Sequence, residues 1–241
     1  MKFLCVSDQI DPLVYTNSIK ERFADVDIVL CAGDLAMEYV DFIVSSLNVP
    51  SYFVFGNHNL NDYHLYHKDV PFTHDQRFNE NNKQIYFGHG ACYAGFKSLK
   101  VRPKDIASKR KTPVLIAGAS GSIKYNNGLC QFTNSAMLVK LLKLVPKLIL
   151  NKILYGRYLD IFLTHSPPRH VQDKEDPCHR GFECYRWFLK TFKPAYMVHG
   201  HIHLYDMQTP RITQFCDTTV INVFSHYVLE MPDEVTDNES L

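Results

Sequence analysis

The chain has 241 residues, 46% of them apolar and 21% charged, enough to cover one large core and too apolar for a disordered segment. Lys and Arg number 26 against 25 Asp and Glu, a formal net charge of +1 with no strongly basic block, so there is no nucleic-acid footprint. Seven cysteines without a CxxC pair suggest neither a zinc ribbon nor a thioredoxin-type redox site, and predict reduced thiols in a cytoplasmic protein. Met1–Asp8 holds too short an apolar run for a signal peptide, and no uncharged apolar stretch reaches membrane-spanning length.

In chain order, residues 2–7 read as a buried strand that runs into the polar loop Ser7–Pro12. The spacing predicts a helix over 17–24 and a second buried strand over Asp27–Ala32, ended by Gly33-Asp34. A helix over 36–47 leads to a third strand, Ser51–Phe55, ended by Gly56-Asn57-His58-Asn59. Strands alternating with helices imply βαβ units and a largely parallel sheet, in which ligands sit beyond the carboxyl ends of the strands. Residues 60–83 are polar, a long loop or short helical pieces, and their His64, His67 and His74 read as surface residues. Strands are expected at Gln84–Gly88 and Pro113–Gly118. Gly118–Ser122 reads as a tight turn before an anion cradle, and Asn126-Asn127-Gly128 as a plain turn.

Residues 135–155 set Met137, Leu138, Leu141, Leu142, Val145, Leu148, Ile149 and Ile153 against Lys140, Lys143, Lys147 and Asn151. That spacing predicts an amphipathic helix kinked at Pro146, packed on the sheet with its lysines in water. Peripheral membrane contact, or a dock for a lipid-linked phosphate, is the less favoured alternative. A strand over Leu159–Thr164 ends in His165; the polar loop Arg169–Pro177, a helix over 180–192 and a strand before Val198–His203 follow. Residues 211–230 read as two or three antiparallel strands closing a single domain over 1–231, and 232–241 as an acidic, frayed tail.

The strand ends collect Asp8, Asp34, Asn57, His58, His165, His201 and His203. In an extended segment residues two apart share a side, so His201 and His203 can serve one target. Two carboxylates, one amide and these imidazoles form the mixed oxygen and nitrogen donor set of a pair of divalent transition metals. Singly, each would read as a turn, a cap or a satisfied core histidine; together in one α/β layout they point to a metal centre.

Asp8, Gly33-Asp34, Gly56-Asn57-His58, His165 and Gly200-His201-Ile202-His203 resemble the motif series of the calcineurin-like metallophosphoesterases, from residue 8 to 203. The resemblance implies a four-layer fold, a two-sheet β sandwich flanked by helices, and a hydrolase acting on phosphate monoesters or diesters. It implies two divalent ions, manganese first with iron or zinc as alternatives, and a hydroxide between them as nucleophile. Asp8, Asp34 and His203 would hold one ion; Asp34, Asn57, His165 and His201 the other; His58 would assist the leaving oxygen. A phosphorylated small molecule is the expected partner. Two positions depart from the pattern. Ile10 stands where the family has its first histidine, so the first ion would be weakly held or completed by Asp11, and Asn59 stands where an acid would orient His58. Asp176–Phe182 resembles the loop before a substrate-facing helix in bacterial members, which makes His179 and Arg180 candidate phosphate contacts. Ile10 also favours the rival reading, a binding scaffold with a degraded site, such as the retromer subunit that resembles these enzymes.

Overall fold

The computed structural model describes residues 1–67, 87–88, 90–102, 111–206 and 208–232. His74, residues 84–86 of one predicted strand, and all but the first residue of the acidic tail lie outside them. The elements begin with β1 (Lys2–Ser7), α1 (Ile19–Arg22), β2 (Ile28–Cys31), α2 (Met37–Leu47), β3 (Ser51–Phe53), α3 (Tyr63–Tyr66), β4 (Phe87–Gly88), β5 (Ala91–Tyr93), β6 (Ser98–Val101) and β7 (Val114–Ala119). They continue with β8 (Ser122–Ile123), β9 (Gln131–Phe132), α4 (Asn134–Leu142), α5 (Val145–Tyr155), β10 (Ile161–Thr164), α6 (Glu183–Phe192), β11 (Tyr196–His199), β12 (Ile212–Phe215), β13 (Thr218–Asn222) and β14 (Ser225–Glu230).

Two six-stranded sheets form, in the orders β14-β1-β2-β3-β5-β4 and β12-β13-β11-β10-β7-β6, beside a small β8-β9 pair. In each large sheet parallel central strands lie between two antiparallel edge strands. The continuous apolar runs follow from burial on both faces. In β1, Phe3 and Cys5 face the opposite sheet, where Ile116, Leu163 and Val198 meet them. Leu4 and Val6 alternate to the outer face, under Ile19, Tyr39 and Ile43 of α1 and α2. The second sheet repeats the scheme, with Leu115 and Phe162 under Met137, Leu148 and Phe188 of the helices. The layers are helix, sheet, sheet, helix, as the resemblance implied.

The structure corrects several expectations. The helix over 135–155 is two helices: α4 stops at Leu142 and α5 starts at Val145, with Pro146 in its first turn, where a missing N–H costs nothing. Residues 211–230 do hold three strands, but β13 runs parallel to β11, and β14 leaves that sheet to pair with β1. His67 is not a plain surface residue; it stacks on Tyr63 at 4.0 Å and bonds the Tyr93 hydroxyl at 2.8 Å. The Gly118–Ser122 turn spends its polar groups internally, since Ser120 Oγ accepts from the Phe55 N–H (3.0 Å) and Gly121 N–H donates to the Phe55 carbonyl (2.8 Å). All seven cysteines are free thiols. Among the described residues, no helix is long and apolar enough to cross a membrane.

Candidate metal centre

The chain turns sharply where β1, β2 and β11 end. Asp8 (φ 68°), Asp34 (φ 56°) and His201 (φ 66°) all take the left-handed conformation, which a non-glycine residue keeps only where its surroundings fix it. Here the loops fix one another. Asp8 N–H donates to the Gly33 carbonyl (3.1 Å), and the Asp8 carboxylate accepts from the His201 N–H (3.0 and 3.1 Å). Asp34 Oδ1 accepts from the His58 N–H (2.7 Å), and Gly200 N–H donates to the His165 carbonyl (3.0 Å). Close approach explains two glycines of the motifs: a Cβ at Gly56 would strike the Asp34 carboxylate, and one at Gly200 the Asp8 carboxylate and Ser7.

At the centre, Asp34, His165 and His201 are buried and bring their donor atoms within 4.8 Å of one another. His165 Nδ1 donates to the Ala32 carbonyl (2.9 Å), which points Nε2 at Asp34 Oδ2 (3.3 Å) and Asn57 Oδ1 (3.2 Å). The Asn57 amide is turned that way because its nitrogen donates to the Tyr125 hydroxyl (3.2 Å). His201 Nε2 donates to the Cys178 carbonyl (2.7 Å), leaving Nδ1 with the lone pair. Atoms bound about 2.0–2.2 Å from one cation lie about 3 Å apart, so the spacing around His165 Nε2 fits a divalent ion. His203 lies farther out, its Nε2 3.8 Å from Asp8 Oδ1 and its Nδ1 2.8 Å from the Tyr205 hydroxyl.

Electrostatics couple these groups. Burial disfavours the His165 cation, but the Asp34 carboxylate outweighs it and raises His165 to about 9. Burial likewise opposes ionisation of Asp34, yet the His165 charge and the His58 N–H hold it well below the usual carboxylate range. Burial pushes Asp8 up and, with the His165 charge, pulls His201 down to about 3. Without a metal, one proton on His165 is therefore clamped by carboxylates, and a divalent cation would displace it.

The departures from the motif now have a place. Ile10 is half exposed (52%), and Asp11 does not stand in for the missing histidine. Its carboxylate bonds Ser225 Oγ, His226 Nδ1 (2.5 Å) and the Leu13 N–H (2.8 Å). Asn59 bonds the Asp34 carbonyl (2.8 Å) and so fixes Asp34, not His58, whose side chain is exposed beside the site. His179 lies at the rim, its ring 5.4 Å from that of His201 and its Nδ1 2.7 Å from Asp176 Oδ1. With Cys178 Sγ, 2.9 Å from that same oxygen, these residues make a second, outer cluster of donors. Arg180 Nε donates to the Glu175 carbonyl (3.3 Å). Sequence reasoning missed the groups behind the donors. Tyr205, two residues after His203, was open to notice; the carbonyls of Ala32 and Cys178 carry no sequence signal.

No curated protein matches the chain. One solved crystal structure shares 14% identity at a TM-score of 0.60, covering 95% of this chain and 94% of its own. The crystal structure of TT1561 of Thermus thermophilus shares 13% identity at a TM-score of 0.56, covering 93% of this chain and 89% of its own. At such identities the likeness is one of fold. Residues 1–205 match the model of the calcineurin-like phosphoesterases, a span that takes in every donor from Asp8 to His203, and the chain belongs to that family.

Proposed function

We propose that this protein is a metal-dependent phosphoester hydrolase with a two-ion centre. The carrying observation is the convergence of Asp34, Asn57 Oδ1, His165 Nε2 and His201 on one point, with Asp8 and His203 beside it. Asp34, Asn57, His165 and His201 would hold one ion; Asp8, Asp34 and His203 the other, with manganese, iron or zinc suited to the donors. When bound, such ions polarise phosphoryl oxygens and make an attacking water acidic. The chain does the rest by position. Ala32 and Cys178 set the imidazoles, Tyr125 turns the Asn57 oxygen inward, and the His58 N–H steadies the carboxylate shared by both sites. The exposed His58 imidazole would give a proton to the departing alkoxide. His179, held by Asp176 with its ring 5.4 Å from that of His201, would donate to a phosphate oxygen.

The test is metal per chain by mass spectrometry after manganese re-equilibration, paired with turnover of aryl phosphate monoesters and diesters. Near two ions, falling in Asn57→Ala and His201→Ala, is the expected result, and His179→Ala should lower turnover with metal unchanged. No bound ion would sink the reading and favour a scaffold, to which Ile10 already points. One ion would remove the two-ion centre from it.

A further inference from the structure

Helices α4 and α5 bury Met137, Leu141, Leu144 and Leu148 on the second sheet, as an amphipathic pair should. Their outer face is not polar in compensation. Val139, Leu142, Ile149, Leu150, Ile153 and Leu154 are all exposed, Ile153 by 74%. The exposed Lys143, Lys147 and Lys152 stand between them. The apolar surface continues across a shallow groove lined by Leu138 and Leu142 to the exposed Trp187 of α6. Large aliphatic side chains left exposed together on one helical face mark a contact surface.

Charge says what the contact is. Residues 111–159 contain no Asp or Glu and seven cations, Lys111, Lys124, Lys140, Lys143, Lys147, Lys152 and Arg157. Four of these, Lys140, Lys143, Lys147 and Lys152, lie on α4, α5 and the turn between them, a span with no acidic residue, whereas Arg157 is paired with Asp160 at 2.7 Å. Glu183, on the rim of the groove, is an acid opposed by Arg186 at 3.9 Å. A second copy of the chain is a poor occupant, because a two-fold contact would set this lysine-rich face against itself. Interleaved lysines and large aliphatics suit a headgroup layer, where the side chains enter the acyl boundary and the ammonium groups reach back to phosphates.

We propose that the outer face of α4 and α5 docks the protein on an anionic lipid bilayer. The helices lie in the plane of the interface; neither crosses it. Docking is independent of the phosphoester reading, since the surface holds none of the residues of the metal centre.

The test is co-sedimentation of the full chain with phosphatidylcholine/phosphatidylserine vesicles and with phosphatidylcholine alone. Binding is expected at low salt on the anionic vesicles only, and it should be lost at high salt. Each lysine adjoining such a surface contributes about fivefold to partitioning, so Lys143→Glu with Lys147→Glu should lower binding by at least about 25-fold. Leu150→Ser with Ile153→Ser should lower the low-salt binding while leaving thermal unfolding and metal content unchanged, because both side chains are exposed and outside the core. Absence of binding at low salt would overturn the proposal. So would binding that both double variants leave intact, or a concentration-dependent dimer, without vesicle binding, that Leu150→Ser/Ile153→Ser abolishes.

Discussion

The two large sheets share one plan and differ in what they bring to their common end. The sheet built on β1, β2 and β3 delivers oxygen: Asp8, Asp34 and the Asn57 amide. The sheet built on β10 and β11 delivers nitrogen: His165, His201 and His203. Neither sheet alone has a mixed donor set, so the centre exists only because Phe3, Leu30 and Val54 of one pack against Ile116, Leu163 and Val198 of the other. Hydrogen bonds cross the seam, both donated from the histidine side: His165 Nδ1–H to the Ala32 carbonyl and the His201 N–H to the Asp8 carboxylate. The lesson is that placing these donors is a property of the packed core, and chemistry at the rim inherits the rigidity of the middle.

The comparison can be broken most severely at Asp34, the carboxylate bonded from both sides. Under the two-ion proposal, Asp34→Ala should remove the oxygen common to both ions, lowering turnover by about 10²-fold or more and leaving less than one ion per chain. Unaltered metal content would show that the sheets hold ions separately.

Two buried histidines of the second sheet sharpen it through pH. In chelator-treated protein His165, raised to about 9, stabilises the fold fully below its unfolded value of 6.5, and that contribution is lost as pH rises through about 9. His199, lowered to about 4 by burial, does the opposite: its contribution is present above 6.5 and lost as pH falls through about 4. Each shift is of order 3 kcal/mol. Urea unfolding of the metal-free chain should therefore show greatest stability near pH 6.5. Manganese should abolish the alkaline loss, since the ion would then replace the proton on His165 Nε2, which is released to solvent. An alkaline limb that manganese leaves unchanged would count against His165 as a ligand.

The smallest effect is expected at Tyr125, whose hydroxyl turns the Asn57 amide from the far side of the site. Tyr125→Phe should weaken metal binding by about tenfold with little change in stability, read by competition with a chelating dye. No change would mean that the Asn57 oxygen is oriented by His165 alone.

Much of this was legible in advance. Strands at 2–7, 27–32 and 159–164 could be placed within two residues because fully covered strands are written as unbroken apolar runs. The donors were visible because each follows such a run, and Gly33, Gly56 and Gly200 announced close approach beside them. What escaped detection has a physical cause. Ala91–Tyr93 and Ser98–Val101 are too short and too mixed to show a period, and β14 crosses to the other sheet for reasons that local pattern does not contain. The break between α4 and α5 hides inside one helical period, with Pro146 its only mark. Asp11 looked like a spare ligand by position; only the fold shows that Ser225 and His226 already claim it.

The bond between Asp8 and His201 spans 193 positions, and the strand that seals the edge of β1 is among the last to be made. During synthesis on the ribosome, the first oxygen donor waits for nearly the whole chain before its partner exists. Until Ser225–Glu230 emerges, β1 keeps an open edge beside its apolar faces, the kind of surface that recruits chaperones and seeds aggregation. An ion held by donors of both sheets would therefore have no complete site until late in synthesis. A nonsense codon anywhere before β14 would be expected to yield an aggregating fragment in place of a weakened enzyme.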